Sequence, residues 1–216
     1  MGCHLSGSLN SLFLNEHTMH NLNYPLDFVF KIFTPSNDFN VIDASGNDVA
    51  YTRQKMFRLK EAVDVFNNSS RSEVLYTLKA DRIIDFNAAY SLRDASGQVL
   101  GQLKRAGMRS LWRTHYTLSD ATDHAIFTIQ EVNPWVALAD SVLSEIPFIG
   151  MLSGYFLNPS YTIANPQGQE VFRLRKTASL MERRFSLEKH TETSPEQETL
   201  VVLGVMMMML QARKNG

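Results

Sequence analysis

A hairpin-sized pattern occurs three times in this chain, at Phe39–Val49, Tyr90–Leu100 and Tyr161–Val171. Each copy has an aromatic, an aliphatic two residues later, Asp or Asn two further on, Gly three beyond that, and then an aliphatic. This is a strand, a tight turn and a returning strand. The Asp or Asn side chain accepts hydrogen bonds from its own turn, and Gly supplies the positive φ there. A cation follows each turn at one offset: Arg53, Lys104 and Arg175, with Arg105 and Lys176 directly after the last two. Repeated hairpins commit a chain to a large antiparallel sheet.

Other segments fill in that sheet. Phe28–Phe33, Lys55–Val65, Val74–Leu78, Arg82–Phe86, Leu111–Leu118, Ile126–Val132 and Arg183–Glu188 read as strands. Lys79-Ala80-Asp81 reads as the turn joining the Val74 and Arg82 strands, and Ser119–His124 as a connection. The total is ten to twelve strands, spaced as a closed barrel or a sandwich requires.

Two segments break the rhythm. Residues 133–158 separate the second and third copies. Asn133 as N-cap and Pro134 at the first helical position predict a short helix over Trp135–Ser144, followed by the apolar Ile146–Leu152. Near the C-terminus, Ser194, Pro195 and Gln197 form a capping signal before Leu200–Leu210, with Arg213 and Lys214 in the last turn. The uncharged run from Thr199 to Ala212 is shorter than the ~20 apolar residues a bilayer needs. A helix apolar on all faces but too short to span is expected to be buried in the protein, a tail anchor being the alternative. A barrel of about twelve strands is too wide to fill with strand side chains alone, and a threaded helix fills it.

Composition narrows the function classes. A net charge of −1 supplies no global field for nucleic acid. The single cysteine, Cys3, excludes an internal disulfide framework and fits a reducing compartment. Residues 1–23 read as a disordered leader without a secretory core, although Met1–Ser6 fits a myristoylation pattern. The expected location is cytoplasmic, peripheral at the inner membrane surface. The remainder, residues 24–216, reads as one barrel domain with a central helix over 195–213. The six histidines show no metal-ligand spacing, and neither a Gly-x-Ser-x-Gly elbow nor a phosphate loop occurs. No catalytic residue, metal or cofactor is therefore expected.

In this order, the features resemble the LURP-one-related and phospholipid-scramblase-like families, which share the tubby C-terminal fold. The family hairpin is matched at Tyr90, Leu92, Asp94 and Gly97, and more loosely at Phe39–Gly46 and Tyr161–Gly168. Its basic strand is matched by Lys104-Arg105 and Arg175-Lys176, and its terminal helix by Leu200–Leu210. The resemblance implies a twelve-stranded antiparallel barrel around a hydrophobic C-terminal helix. The acidic calcium-binding stretch proposed for scramblases is not reproduced, since only Glu192, Glu196 and Glu198 precede the helix.

The recurrent cations carry the functional expectation. Arg53, Lys104, Arg105, Arg173, Arg175 and Lys176, with Trp135 and Phe148 of the insertion, form a candidate surface for anionic phospholipid. Arg109, Arg113, Arg183 and Arg184 extend it. A protein-interaction or scaffolding barrel, with the cations as solubilising charges, is the alternative.

Overall fold

The computed structural model describes residues 19–31, 37–54, 62–84, 87–105, 115–132, 160–177 and 182–212. Within them the antiparallel expectation becomes one closed ring. Its strands are β1 (Leu26–Lys31), β2 (Asn37–Ile42), β3 (Asp48–Gln54), β4 (Val63–Phe66), β5 (Val74–Ile84) and β6 (Asn87–Asp94). They continue as β7 (Val99–Arg105), β8 (His115–Asp120), β9 (Ala125–Glu131), β10 (Ser160–Ala164), β11 (Glu170–Thr177) and β12 (Glu182–Lys189). Each strand pairs with its chain neighbours, and β1 closes the ring on β12, with Leu26 opposite Leu187 and Phe30 opposite Arg183.

The three repeats are β2–β3, β6–β7 and β10–β11. Their turns behave as the residues dictate. Gly46, Gly97 and Gly168 have φ of +83°, +86° and +79°. Asp43 Oδ1 accepts the amides of Ser45 and Asn47, and Asn165 Oδ1 accepts those of Gln167 and Gln169. A fourth turn has the same wiring without a glycine. Asp120 Oδ1 accepts the amides of Thr122 and His124, and Asp123 takes the positive φ, +66°. A fifth, at Asn68–Arg71, shares the amide-to-carbonyl closure and has φ +57° at Arg71.

At Gly97 an added Cβ would meet nothing within 4 Å, so only the backbone penalises a side chain. Gly97→Val is therefore expected to cost about 1–3 kcal/mol, and Gly97→Asn clearly less, because Asn tolerates the left-handed region. Denaturant melts of the two variants check this; equal losses would show that φ is not the cause.

Two readings of the strands are corrected. Lys79-Ala80-Asp81 is not a turn. Val74 to Ile84 is one strand, and a register shift between Ala80 and Arg82 absorbs the extra residue against β6. The bulge bends the strand, so a polar tripeptide sits inside it without ending it. Ser119 and Asp120 belong to β8, which narrows the expected connection to its turn. Of the Lys55–Val65 strand, the described part begins at Val63, and of Leu111–Leu118 it begins at His115.

Inside the ring runs α1 (Pro195–Ala212). Its start is the expected capping box: the Gln197 amide donates to Ser194 Oγ, and the Ser194 amide donates to Gln197 Oε1. Every residue from Glu198 to Gln211 is buried. The helix meets inward side chains of alternating strand positions, among them Phe39, Leu92, Leu103, Leu118, Ile129 and Leu174, all fully buried. The expectation of a helix apolar on every face and enclosed by strands holds. Arg213 and Lys214 lie outside the described residues.

The antiparallel order gives the barrel two unlike ends. The five tight turns and the start of α1 share one, the turn end. There Met19 is buried and its amide donates to Thr199 Oγ1, so the leader expected over residues 1–23 is docked from Met19 onward. Tyr24 donates to Glu198 Oε2, and the Lys189 ammonium bonds Glu198 Oε1 at 2.8 Å. The hydrogen bond to Glu198 holds the Lys189 ammonium above the usual lysine range. The other end receives the C-terminus of α1 together with the last residues of β1, β3, β5, β7, β9 and β11.

Candidate functional site

The repeat offset has a direct structural meaning. In each repeat the cation lies near the far end of the returning strand, β3, β7 or β11. The insertion leaves the barrel at that same end. Its neck is closed by the Val132 amide donating to the Ser160 carbonyl at 2.9 Å. Trp135, Phe148, Arg109, Arg113 and the Arg183 side chain lie outside the described residues.

The pleat then divides the six candidate cations into two sets. Thr52, Leu103 and Leu174 are fully buried, so Arg53, Lys104 and Arg175 face outward, together with Arg173. These outward charges are partnered. Lys104 Nζ sits 2.7 Å from Asp123 Oδ2, Arg173 bonds Glu170, and Arg175 lies 3.7 Å from Glu188. Arg184 likewise faces Asp27 at 3.4 Å. Arg173 and His190 together hold the Glu170 carboxyl below its usual range against desolvation, which acts the other way and is the largest influence.

Arg105 and Lys176 belong to the opposite face. Each lies two residues beyond a fully buried leucine, Leu103 or Leu174, so the alternation directs it to the inner side of the rim. The candidate lipid-binding cations thus come from both faces of the sheet. Two adjacent strand residues cannot share a face, and both Lys104-Arg105 and Arg175-Lys176 are such pairs.

The inward set is joined by tyrosines that sequence reading passed over. Arg105 pairs in register with Tyr116 on β8, Tyr90 lies opposite Leu103 on β6, and Tyr161 lies opposite Glu131 on β10. Burial raises the Tyr90 and Tyr116 phenols, while the charge of Arg105 pulls both the other way. Burial, with the Glu131 charge adding to it, pushes Tyr161 up to about 12. All three hydroxyls therefore stay protonated at neutral pH and are donors. The signal for them was present: Tyr90 and Tyr161 open two of the three repeats.

Among the described residues no helix is long and apolar enough to cross a membrane, and no group of three His, Cys, Asp or Glu side chains is placed to hold a metal. Fold and rim together define a closed antiparallel barrel filled by a C-terminal helix, with the repeat cations near one mouth. The LURP-one-related family model matches residues 49–138, from β3 through β9 into the insertion, as the hairpin and basic-strand resemblance implied. The X-ray structure of a protein from Arabidopsis thaliana is similar at 12% identity and a TM-score of 0.48, covering 91% of this chain and 95% of that one. No curated protein matches the chain.

Proposed function

We propose that this chain is a non-enzymatic barrel that binds anionic phospholipid at the cytoplasmic face of a membrane, through its far end. The observation that supports this reading is the convergence on one mouth of the repeat cations and the apolar insertion. Each Lys or Arg near an anionic surface contributes ~1 kcal/mol. Exposed ion pairs contribute up to ~1 kcal/mol, so exchanging the acids on Lys104 and Arg175 for lipid phosphate is close to neutral. The electrostatic gain is then a sum over the repeat cations rather than the work of any one of them.

Co-sedimentation with phosphatidylcholine vesicles with and without phosphatidylserine tests the reading. Wild-type protein is expected to pellet only with the anionic vesicles, and to be released as salt rises and surface charge is screened. Substituting Lys104, Arg105 and Arg175 together by Gln should weaken binding to the anionic vesicles. Trp135→Ser with Phe148→Ser should weaken it with little dependence on salt, because the apolar contribution is not Coulombic. If the protein ignores anionic vesicles at low salt, lipid binding falls. The scaffold reading then takes its place, supported by the satisfied pairs at Lys104, Arg173 and Arg175.

A further inference from the structure

From the juxtaposition of Arg105, the phenols of Tyr90, Tyr116 and Tyr161, and the buried amide of Gln211, we infer a binding site for a singly charged oxyanion, a phosphodiester or carboxylate, inside the barrel's far mouth. The site lies inward of the surface proposed to meet lipid, shares Arg105 with it, and otherwise stands on its own observations.

The first is the helix phase. A Cβ on Gly204 would lie 3.2 Å from Leu118 and 3.7 Å from Leu103, so that face of α1 points at β7 and β8. Gln211 follows seven residues later, which returns it to the same face about 10 Å further along the axis. Arg105 and Tyr116 stand two residues beyond Leu103 and two before Leu118 in the same direction. The helix terminus and the strand ends thus bring these groups to one level of the mouth.

The second is an unmet donor. Gln211 is 5% exposed, and its Nε2 has no hydrogen-bond partner among the described residues. Leaving such a donor buried and unmade costs about 1–3 kcal/mol, so its retention calls for an acceptor. Among the described residues no hydrogen bond engages the hydroxyls of Tyr90, Tyr116 or Tyr161, and no ion pair engages Arg105. Donors of three kinds therefore lie at one level of the mouth, and among the described residues no hydrogen bond gives them an acceptor.

The ligand's chemistry follows. An array of phenol, guanidinium and amide donors suits oxygen acceptors carrying negative charge, where hydrogen bonds are strongest. Glu131, the acid of this rim, opposes a second charge, which favours a monoanion over a phosphate monoester dianion. Depth limits size. Met207 and Met208 are 1% and 3% exposed, so the barrel below is filled and only a head-group-sized anion fits.

The test uses full-length protein with 13C-labelled tyrosine rings and 15N-labelled glutamine, titrated with dimethyl phosphate and, separately, with phosphatidylglycerol vesicles. Dimethyl phosphate is expected to shift Tyr90, Tyr116, Tyr161 and the Gln211 side-chain amide in a saturable way. Tyr24, at the turn end, should stay still. Tyr116→Phe and Gln211→Met, each removing one donor to a charged acceptor, should raise Kd about tenfold. Saturable shifts with dimethyl phosphate but no vesicle binding would keep this site and remove the lipid reading. Vesicle binding with no dimethyl phosphate shifts at the mouth would overturn the site and leave the lipid reading standing. Equal shifts at Tyr24 would also overturn it, as a bulk solvent effect.

Discussion

Val205→Asp is expected to abolish soluble, folded protein. Val205 is fully buried at the middle of α1, with Leu203, Met206 and Met207 also buried around it. A carboxylate there has no counter-ion and must either ionise in an apolar interior or stay protonated with its hydroxyl and carbonyl unmet. Either state costs several kcal/mol. A domain of this kind has about 5–15 kcal/mol of stability in all, so one such change consumes most of it. Val205→Ala separates charge from volume: it should cost about 1–3 kcal/mol and leave a folded protein with a lower melting temperature. Circular dichroism and size-exclusion chromatography of the two variants decide the matter. Monomeric, cooperatively melting Val205→Asp protein would mean that α1 is not the core.

Gly101→Ala should carry the second large effect, and for a different reason. Gly101 has an ordinary backbone conformation, so the obstacle is space. A Cβ there would fall on the Ser119 carbonyl oxygen and lie 2.7 Å from Leu200 Cδ2. The leucine can turn aside, but the carbonyl belongs to the β7–β8 ladder, where Gly101 pairs with Asp120. Relieving the clash means spreading two strands and shifting the first turn of the helix, a cost of about 3 kcal/mol or more. For a protein of this size that lowers the melting temperature by roughly 6–12 °C. Gly204→Ala is the comparison. Its Cβ would sit 3.2 Å from a flexible Leu118 methyl, and alanine gains about 1 kcal/mol of helix propensity, so the net change should be near zero. Similar losses at the two glycines would show that backbone contact is not what distinguishes them.

Much of the barrel was legible because its signals are local. An Asp-x-x-Gly turn carries its own hydrogen bonds and its own φ requirement, so Phe39–Val49, Tyr90–Leu100 and Tyr161–Val171 announced themselves. The Asp120–His124 turn has the same side-chain wiring, but Asp123 stands where glycine was expected, and its left-handed conformation left no mark in the residue type. Strand β5 was split in the reading because Lys79-Ala80-Asp81 is polar, whereas the pairing with β6 tolerates it through a bulge. Ring closure of β1 on β12 is a long-range fact that no local pattern encodes.

The rim was half legible. The common offset of Arg53, Lys104 and Arg175 corresponds to one end of the barrel, the far ends of β3, β7 and β11. The pleat, read from the sequence, turns Lys104, Arg173 and Arg175 outward beside the inward leucines, while Arg105 and Lys176 alternate to the other face. Gln211 was invisible for a better reason. A polar residue near a helix end reads as solvent-facing, and only the depth to which α1 is inserted makes it an interior donor.

That insertion has a consequence in time. The inner face of the sheet is sealed by a helix that follows all twelve strands in the chain, and the ring is closed by pairing β1 with β12; Asp27 and Arg184, which bridge that seam, are 157 residues apart in the chain. No strand can bury its inner apolar stripe in the native way before that helix has been made. Contacts of such separation also make for slow closure. Folding is thus deferred to one late, concerted step, and the methionine-rich helix that looks like packing material is also what lets the barrel finish.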